Sequence, residues 1–266
     1  MRRATIVLTA VAVMVCLAGG IALAKNIQCP TKRGTHLCVG TNNPDTITGT
    51  NKSDKIRARG GDDQVTARGG NDKVSGGDGA DIIDGGPGND TLNGGANLTG
   101  TLEGVGGGAG DDTLVESAGP DRYLFGADWG QDQITGDGDP SPGYDNDEVC
   151  FVCSGGPSPS GTLTINLTTG TATDGTNNVS WTPLIIEQAI GSTGGDTITG
   201  SSRANFINGF TGADNINVSG DPTGASDTVD CGGNPTTGGD GAMDIVTKDL
   251  NDQTINCGSD TILIGP

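Results

Sequence analysis

Residues 76 to 93 read GGDGADIID followed by GGPGNDTLN, two copies of one nine-residue pattern. Each copy has an aspartate at its sixth position and an aliphatic residue two positions later. The same pair recurs every nine residues, without a slip, through six repeats. The aspartates are Asp45, Asp54, Asp63, Asp72, Asp81 and Asp90, and the aliphatic residues are Ile47, Ile56, Val65, Val74, Ile83 and Leu92. A period kept in register over this length predicts identical units stacked against one another.

The two complete copies have the form G-G-x-G-x-D-x-U-x, where U is aliphatic, and they resemble the calcium-binding nonapeptides of RTX (hemolysin-type) proteins. The resemblance implies an all-β fold, a right-handed parallel β-roll with two nonapeptides in each coil and irregular β caps. Alternate side chains of a strand face opposite sides, so the U residues would lie between two parallel sheets. No segment after residue 24 shows sustained helical periodicity, so essentially no helix is expected.

Energetics explain why such a coil needs an ion. Burying one aliphatic side chain stabilises by about 1.5 to 3 kcal/mol, whereas ordering nine residues costs about 9 to 18 kcal/mol. The aligned aspartates also repel one another. Calcium accepts six to eight oxygen ligands and combines carboxylates with backbone carbonyls. The sequence therefore predicts that several Ca²⁺ ions complete the fold.

In the family that the chain resembles, each glycine-rich turn is half of a site, completed by the turn two repeats later. The resemblance pairs Asp63 with Asp81 and Asp72 with Asp90, with carbonyls from 76–79 and 85–88. The predicted ligands are Asp63, Asp72, Gly76, Gly77, Asp78, Gly79, Asp81, Gly85, Gly86, Gly88, Asp90, Asp112 and Asp214. The sequence does not identify the partner turns of Asp112 and Asp214.

A simpler interpretation is that the aspartates only shape turns through side-chain to backbone hydrogen bonds. The first two repeats, which end in Asp45 and Asp54, lack the second and third glycines and favour this alternative. Later repeats combine Gly and Asp at a fixed period, which turn formation alone does not require. We therefore expect calcium late in the first array and not at its start.

The first 24 residues have the features of a secretory signal peptide. Arg2 and Arg3 form a basic start, an apolar run covers 6–17, and a small-x-small cleavage site lies at 22–24. The apolar run is too short to span a membrane. We expect general secretory export, to the extracellular space or the cell surface.

A second array has the same nine-residue spacing in Asp196, Asn205 and Asp214, each followed two positions later by isoleucine. Asn205 is neutral and glycine is sparse, so this block is degenerate. The expected organisation after the signal peptide (1–24) is a disulfide-stapled N-terminal cap at 25–39, calcium-binding repeats with their end segment at 40–135, a loop and β connector at 136–190, and the second block with a C-terminal cap at 191–266.

Six cysteines follow the signal segment. In an exported protein this even number predicts three disulfides, which six cysteines can form in 15 different pairings. Proximity in sequence favours the pairs Cys29–Cys38, Cys150–Cys153 and Cys231–Cys257. The CxxC of the second pair could also be a zinc half-site or a redox pair. No second CxxC or histidine cluster supports zinc, and no βαβ pattern supports redox chemistry.

The net charge and the missing catalytic motifs argue against several classes of function. The net charge of −19 argues against nucleic acid as a partner. A single histidine rules out HExxH, and neither a G-x-S-x-G nor a Walker sequence is present. The prediction is a non-enzymatic, exported calcium-binding protein with a surface-structural or adhesive role, with cell-surface polysaccharide or matrix as a further partner.

Two alternatives remain at this stage. RTX-like units also occur in carbohydrate-binding and polysaccharide-modifying proteins, and a groove would then involve Tyr123, Trp129 and Trp181. Ice binding needs a uniform ladder of threonine or asparagine beside the U residues. The flanking positions here vary from Thr46 to Lys55, which disfavours ice binding.

Overall fold

The computed structural model describes residues 24–30, 37–97, 101–115, 118–136, 146–154, 157–159, 161–183, 185–220, 224–232, 242–257 and 260–265. Within these ranges every helical or strand element is a strand, and no helix capable of crossing a membrane is found. The predicted signal peptide lies outside the described residues, apart from residue 24. The all-β prediction is confirmed for the part of the chain that the structure describes.

The strands are short and follow one another at nearly regular intervals. In chain order they are β1 (Lys25–Gln28), β2 (Leu37–Val39), β3 (Asp45–Thr48), β4 (Lys55–Gly60), β5 (Gln64–Thr66), β6 (Lys73–Asp78), β7 (Ile82–Pro87), β8 (Thr91–Asn93), β9 (Glu103–Ala109), β10 (Thr113–Val115), β11 (Asp121–Leu124), β12 (Gln131–Thr135), β13 (Glu148–Cys150), β14 (Thr164–Asn166), β15 (Thr171–Thr173), β16 (Asn178–Ser180), β17 (Gln188–Ile190), β18 (Thr197–Thr199), β19 (Phe206–Asn208), β20 (Asn215–Asn217), β21 (Thr228–Asp230), β22 (Ile245–Lys248), β23 (Gln253–Ile255) and β24 (Thr261–Ile264).

The chain winds between two sheets as a parallel β-solenoid. Sheet A has 11 strands in the order β1-β3-β5-β7-β9-β11-β13-β17-β19-β21-β23, and sheet B has 13 in the order β2-β4-β6-β8-β10-β12-β16-β15-β14-β18-β20-β22-β24. Each coil gives one strand to each sheet. Strand β3 pairs with β5, and β4 with β6, so two nonapeptides form one coil, as predicted.

The U residues form the core as a ladder in each sheet; the ladder of sheet A is unbroken, and that of sheet B shifts by two residues between β12 and β16, where Asp132 lies opposite Val179. In sheet A every step of the ladder is a parallel register pair, and the column does not slip from β1 to β21. Its members are Ile27, Ile47, Val65, Ile83, Val105, Tyr123, Val149, Ala189, Ile207 and Val229. All except Ile27 are almost completely buried. The period-two pattern read from the sequence therefore sets the register of the whole sheet.

Sheet B contains one departure from parallel pairing. Strands β14, β15 and β16 pair antiparallel with one another. Strand β16 then lies beside β12, and β14 lies beside β18. Sheet A passes directly from β13 to β17 at this level. Within the predicted loop and β connector at 136–190, these three strands thus form an insertion in sheet B.

The aromatic side chains lie in the core and not in a surface groove. Tyr123, Trp129 and Trp181 are each at most 5% exposed. Phe125 stacks on Phe151 with ring centroids 5.2 Å apart, and Trp129 lies 5.3 Å from Phe151. The prediction that Tyr123, Trp129 and Trp181 could line a carbohydrate groove is wrong, because a ring buried in the core cannot stack on a sugar. The cluster fills the solenoid where the first array ends.

The three disulfides are those that sequence proximity favours: Cys29–Cys38, Cys150–Cys153 and Cys231–Cys257. Cys29 follows β1 of sheet A and Cys38 lies in β2 of sheet B, so the first bond joins the two sheets at the N-terminal end. Strands β21 to β24 continue both sheets in parallel beyond the second array.

Candidate metal-binding turns

In the described part of the first array each coil has two turns, and an acidic residue stands at or next to the start of the strand that follows each turn. The residues of the first array that lead into sheet A form one column, and those that lead into sheet B form the other. The sheet A column contains Asp45, Asp63, Asp81, Glu103 and Asp121, and the sheet B column contains Asp54, Asp72, Asp90, Asp112 and Asp132. All of them are at most 4% exposed. Two rows of buried carboxylates therefore run along the first array.

In six members of the two columns, Oδ1 accepts the backbone N–H of the aspartate one coil earlier; these six are Asp63, Asp72, Asp81, Asp90, Asp112 and Asp132. The N–H of Asp63 donates to Oδ1 of Asp81 at 2.8 Å. The corresponding bonds in sheet B run from Asp54 to Asp72, Asp72 to Asp90, Asp90 to Asp112 and Asp112 to Asp132, at 2.7 to 2.8 Å. Oδ1 is thus committed to the backbone ladder.

These bonds identify the neighbouring aspartates of Asp112 and Asp214, which the sequence alone does not give. Asp112 lies between Asp90 and Asp132 in the sheet B column. In the second array the N–H of Asp196 donates to Oδ1 of Asp214, and the N–H of Asp214 donates to Asp244. Asp132 was absent from the predicted ligands. The triplet Asp132-Gln133-Ile134, an aspartate two positions before an aliphatic residue, is the signal that could have indicated it.

The second carboxylate oxygen divides the turns into two kinds. In Asp63, Asp72, Asp81, Asp90, Asp112 and Asp132, Oδ2 is buried and has no hydrogen-bond partner among the residues that the structure describes. An unsatisfied buried acceptor costs about 1 to 3 kcal/mol, and more if it is charged. We call the turns that end in these residues carboxylate turns. They need a cation or a proton.

Burial also raises the pKa values of these aspartates. Burial, together with repulsion from neighbouring aspartates, raises the pKa of Asp72, Asp81 and Asp112 to about 7 and that of Asp132 to about 8. The pKa values of Asp63 and Asp90 rise to about 6 for the same reasons. The backbone hydrogen bond to Oδ1 lowers each value and only partly offsets burial. The protein alone therefore does not compensate these charges.

The backbone of the carboxylate turns brings carbonyl oxygens close to Oδ2. A Cβ on Gly76 would overlap both Oδ2 of Asp81 and the carbonyl oxygen of Gly94. Gly77 has a φ of +121°, and a Cβ on it would overlap the carbonyl oxygen of Arg59. Glycine is therefore required here both for a left-handed backbone and for the approach of the preceding turn. Oxygen atoms from two turns converge where only glycine fits.

The remaining predicted residues lie in the same two turns. Gly79 lies against Gly61 of the preceding turn, Gly85 beside Oδ2 of its own Asp90, Gly86 against Arg68 and Gly88 against Gly70. Asp78 differs, because its side chain is exposed and its carbonyl accepts the N–H of Gly61 at 2.8 Å. The structure therefore brings all of these turns together but places the Asp78 carboxylate outside the buried column.

The second kind of turn has Thr or Ser where the motif has its second glycine. The N–H and hydroxyl of Thr50 donate to Oδ2 of Asp54 at 2.7 and 2.8 Å. Thr41 makes the same two bonds to Asp45, at 2.6 and 2.9 Å. In these hydroxyl turns the protein itself supplies the donors. These are the turn-shaping hydrogen bonds that the sequence suggests for the repeats ending in Asp45 and Asp54.

Hydroxyl turns recur in the second array. The N–H of Ser192 donates to Oδ2 of Asp196 at 2.6 Å, and its hydroxyl donates to Oδ1 at 2.9 Å. The N–H of Ser201 donates to Oδ1 of Asn205 at 2.6 Å. None of the four Thr or Ser residues has the left-handed backbone of Gly77. Hydroxyl turns thus lie at the start of the first array and at Ser192 and Ser201 of the second, whereas the turn before Asp214 has Gly209 against Oδ2, as the carboxylate turns do.

Comparison with known families agrees with this division of the chain into repeats. The model of the RTX calcium-binding nonapeptide repeat (4 copies) matches residues 39–74, 66–97 and 190–221. No curated protein shows significant similarity to the chain. The matched segments contain turns of both kinds, and the family supports calcium binding by the repeats. The matched repeats and the parallel solenoid that they build fit an RTX-type β-roll protein.

Proposed function

We propose that the carboxylate turns of the first array bind several Ca²⁺ ions between successive coils, and that this binding completes an exported, non-enzymatic β-roll. The observation that carries the proposal is the set of buried Oδ2 atoms without a protein donor. Each of them lies in a turn where backbone carbonyls of the neighbouring coil approach. Carboxylate and carbonyl oxygens in such a combination are the ligands of calcium.

The stacking of the turns suggests which residues would share an ion. In sheet A the neighbours are Asp63 and Asp81. In sheet B, Asp72 would share with Asp90, Asp90 with Asp112, and Asp112 with Asp132. Glycine carbonyls of the two turns, including those of 76–79 and 85–88, would add further oxygens. A bound ion would neutralise the carboxylates and cross-link consecutive coils.

Other metals fit the donor set less well. The six cysteines after the signal segment are all in disulfides, so they do not supply thiolates for zinc. Magnesium demands near-ideal octahedral geometry and retains several waters, whereas these turns offer protein oxygens in a fixed, crowded arrangement. The hydroxyl turns would not need an ion at Oδ2, because Thr50 and Ser192 already donate to Oδ2 of Asp54 and Asp196.

The physiological role follows from the expected localisation. The signal-like segment at 1–24 supports export to the extracellular space or the cell surface, where calcium is abundant. The disulfides agree with an oxidising compartment. We propose a surface-structural or adhesive role, with polysaccharide or matrix as the partner, for a rod built from the repeats at 40–135 and 191–266. The cap at 25–39 and the connector at 136–190 would complete it.

The test is calcium titration of the calcium-depleted protein from residue 25 onwards, with disulfides intact, by calorimetry and far-ultraviolet circular dichroism. We expect binding of several ions and a gain of β signal with calcium but not with magnesium. Asp81→Asn keeps the oxygen that accepts the Asp63 N–H but removes the charge, so it should lower the number of bound ions. Asp54→Asn, in a hydroxyl turn, is the matched control and should bind as the wild type does. A wild-type protein that binds no calcium would overturn the proposal.

A further inference from the structure

Glu103 occupies the aspartate position of the sheet A column although no nonapeptide motif precedes it. Strand β7 pairs with β9 so that Ile83 lies opposite Val105. Glu103 therefore lies level with Asp81, one coil further on. The regular spacing of the sequence ends after Asn93, so the motif alone does not indicate this residue. The parallel register of sheet A does.

The turn that leads to Glu103 repeats the backbone of a carboxylate turn. The N–H of Gly77 donates to the carbonyl of Gly94 at 2.8 Å, and the N–H of Gly79 donates to that of Ala96 at 3.2 Å. Gly95 has a φ of +111°, which matches the left-handed Gly77 one coil earlier. The turn thus begins as the glycine motif does and carries extra residues before its acidic residue.

Glu103 is fully buried, and neither of its carboxylate oxygens has a hydrogen-bond partner within the described part of the chain. A Cβ on Gly94 would overlap Oε1 of Glu103, so the carboxylate lies directly against this turn. Burial, together with repulsion from Asp121 and Asp81, raises the pKa of Glu103 to about 9. Three acidic groups therefore share a buried region.

The oxygens of this region converge. Oδ2 of Asp81 and the carbonyl oxygen of Gly94 both lie at the position that a Cβ on Gly76 would take. Oδ2 of Asp81 has no hydrogen-bond partner in the described residues, like the oxygens of Glu103. An isolated buried carboxylate is strongly unfavourable, and a hard divalent cation compensates two of them together.

We propose that Glu103 and Asp81, with the carbonyl of Gly94, form a further calcium site that extends the sheet A column by one coil. The site rests on the proposed function, because it uses the same ion and the same kind of turn. The longer glutamate side chain replaces the motif aspartate. The inserted residues lengthen the turn and leave the carboxylate at the same level of the column.

The test is the number of calcium ions bound by wild type and by Glu103→Gln, measured by calorimetry and by direct calcium analysis after gel filtration. The variant is nearly isosteric and should bind one ion fewer while keeping its other sites. Glu148→Gln is the matched control, since Glu148 is also a buried glutamate of sheet A but pairs with Arg122. It should bind as many ions as the wild type.

The outcomes separate this site from the general function. An unchanged number of ions in folded Glu103→Gln overturns the Glu103 site while leaving calcium binding by the motif turns intact. No binding by the wild type overturns the proposed function itself. If Glu103→Gln does not fold, Glu103→Asp replaces it and keeps the charge on a shorter side chain. A loss of affinity of about tenfold at one site supports the proposal, and an unchanged set of affinities contradicts it.

Discussion

The backbone N–H of Asp63 donates to Oδ1 of Asp81, 2.8 Å away on the next coil, while Oδ2 of Asp81 has no hydrogen-bond partner in the described structure. The two oxygens of one carboxylate thus have different roles. Oδ1 holds neighbouring coils in register, and Oδ2 is directed to the turn where calcium is proposed. At the same position of the second array, Oδ1 of Asn205 accepts the N–H of Ser201 in its own turn and Nδ2 donates to the carbonyl of Glu187 one coil earlier, so an amide also makes one contact of each kind.

Removal of calcium should affect the two kinds of turn differently. In calcium-depleted protein we expect rapid amide exchange over 63–112, because the carboxylate turns lose the ion that offsets their repulsion. Residues 192–217, with the hydroxyl turns of Ser192 and Ser201, should stay protected. Hydrogen exchange with mass spectrometry measures both segments in one experiment. Calcium-saturated protein is the reference, and equal loss of protection in both segments would contradict the prediction.

Thr50→Val should destabilise the protein without calcium being involved. Valine keeps the branched shape of threonine but removes one of the two donors to Oδ2 of Asp54. We expect a loss of about 1 to 2 kcal/mol in the free energy of unfolding. Thr46→Val, on an exposed face of β3, is the matched control and should change stability by less than about 0.5 kcal/mol. Urea denaturation of both variants at one calcium concentration makes the comparison, and equal effects would contradict it.

Gly77→Ala and Gly175→Ala separate backbone conformation from crowding. Both glycines have a positive φ, +121° and +90°. A Cβ on Gly77 would overlap the Arg59 carbonyl, whereas nothing lies within 4 Å of one on Gly175. We expect a cost of about 1 kcal/mol for Gly175→Ala, and about 2 to 4 kcal/mol with weaker calcium binding for Gly77→Ala. Denaturation and calcium titration test this, and similar costs for both variants would count against a crowded turn.

The pH dependence of stability should reverse with calcium. Folding raises the pKa of the aspartates in the carboxylate turns from 3.8 to about 6 to 8, so the native calcium-free state binds more protons than the unfolded chain. Stability is then greatest below about pH 4 to 5 and falls as the pH rises through 6 to 8. Urea midpoints of calcium-depleted protein should be higher at pH 5 than at pH 8.

With saturating calcium we expect the opposite order, because protons compete with the ion for Oδ2 of residues such as Asp72 and Asp81. The same urea titrations in calcium provide the comparison. A calcium-free protein that is more stable at pH 8 than at pH 5 would show that burial does not dominate these carboxylates.

The sequence predicts the sheets well because burial enforces a period of two. A slip of one residue would expose Ile83 and its whole ladder, so the register follows from the pattern. The antiparallel insertion β14–β16 was not predictable in this way, because an alternating strand does not specify the direction of its neighbour. The aromatic cluster was misjudged for a related reason: Trp129 suits either a groove or a core, and only packing decides between them.

The candidate site was predictable only where the motif is complete. Asp81 and Asp90 follow from the glycine spacing, whereas Glu103 depends on the register of β9 against β7. The difference between Thr50 and Gly77 at the same motif position also needed the structure. A threonine can satisfy a carboxylate only if the turn leaves the left-handed conformation, and the sequence alone does not show that change.

The antiparallel insertion in sheet B affects how the proposed ion sites of successive coils are coupled along the array. In sheet B, Asp132 lies opposite Val179, so the column of carboxylates stops there and resumes only at Asp196. In sheet A the acidic column continues from Asp121 to Asp147 and on to Glu187. In a nearest-neighbour description, the interaction between successive proposed ions would be interrupted in sheet B, while the hydrophobic ladder of sheet A remains continuous. Cooperativity between ions of the sheet B column should therefore end at Asp132, whereas the acidic column of sheet A has no such break between Asp121 and Glu187.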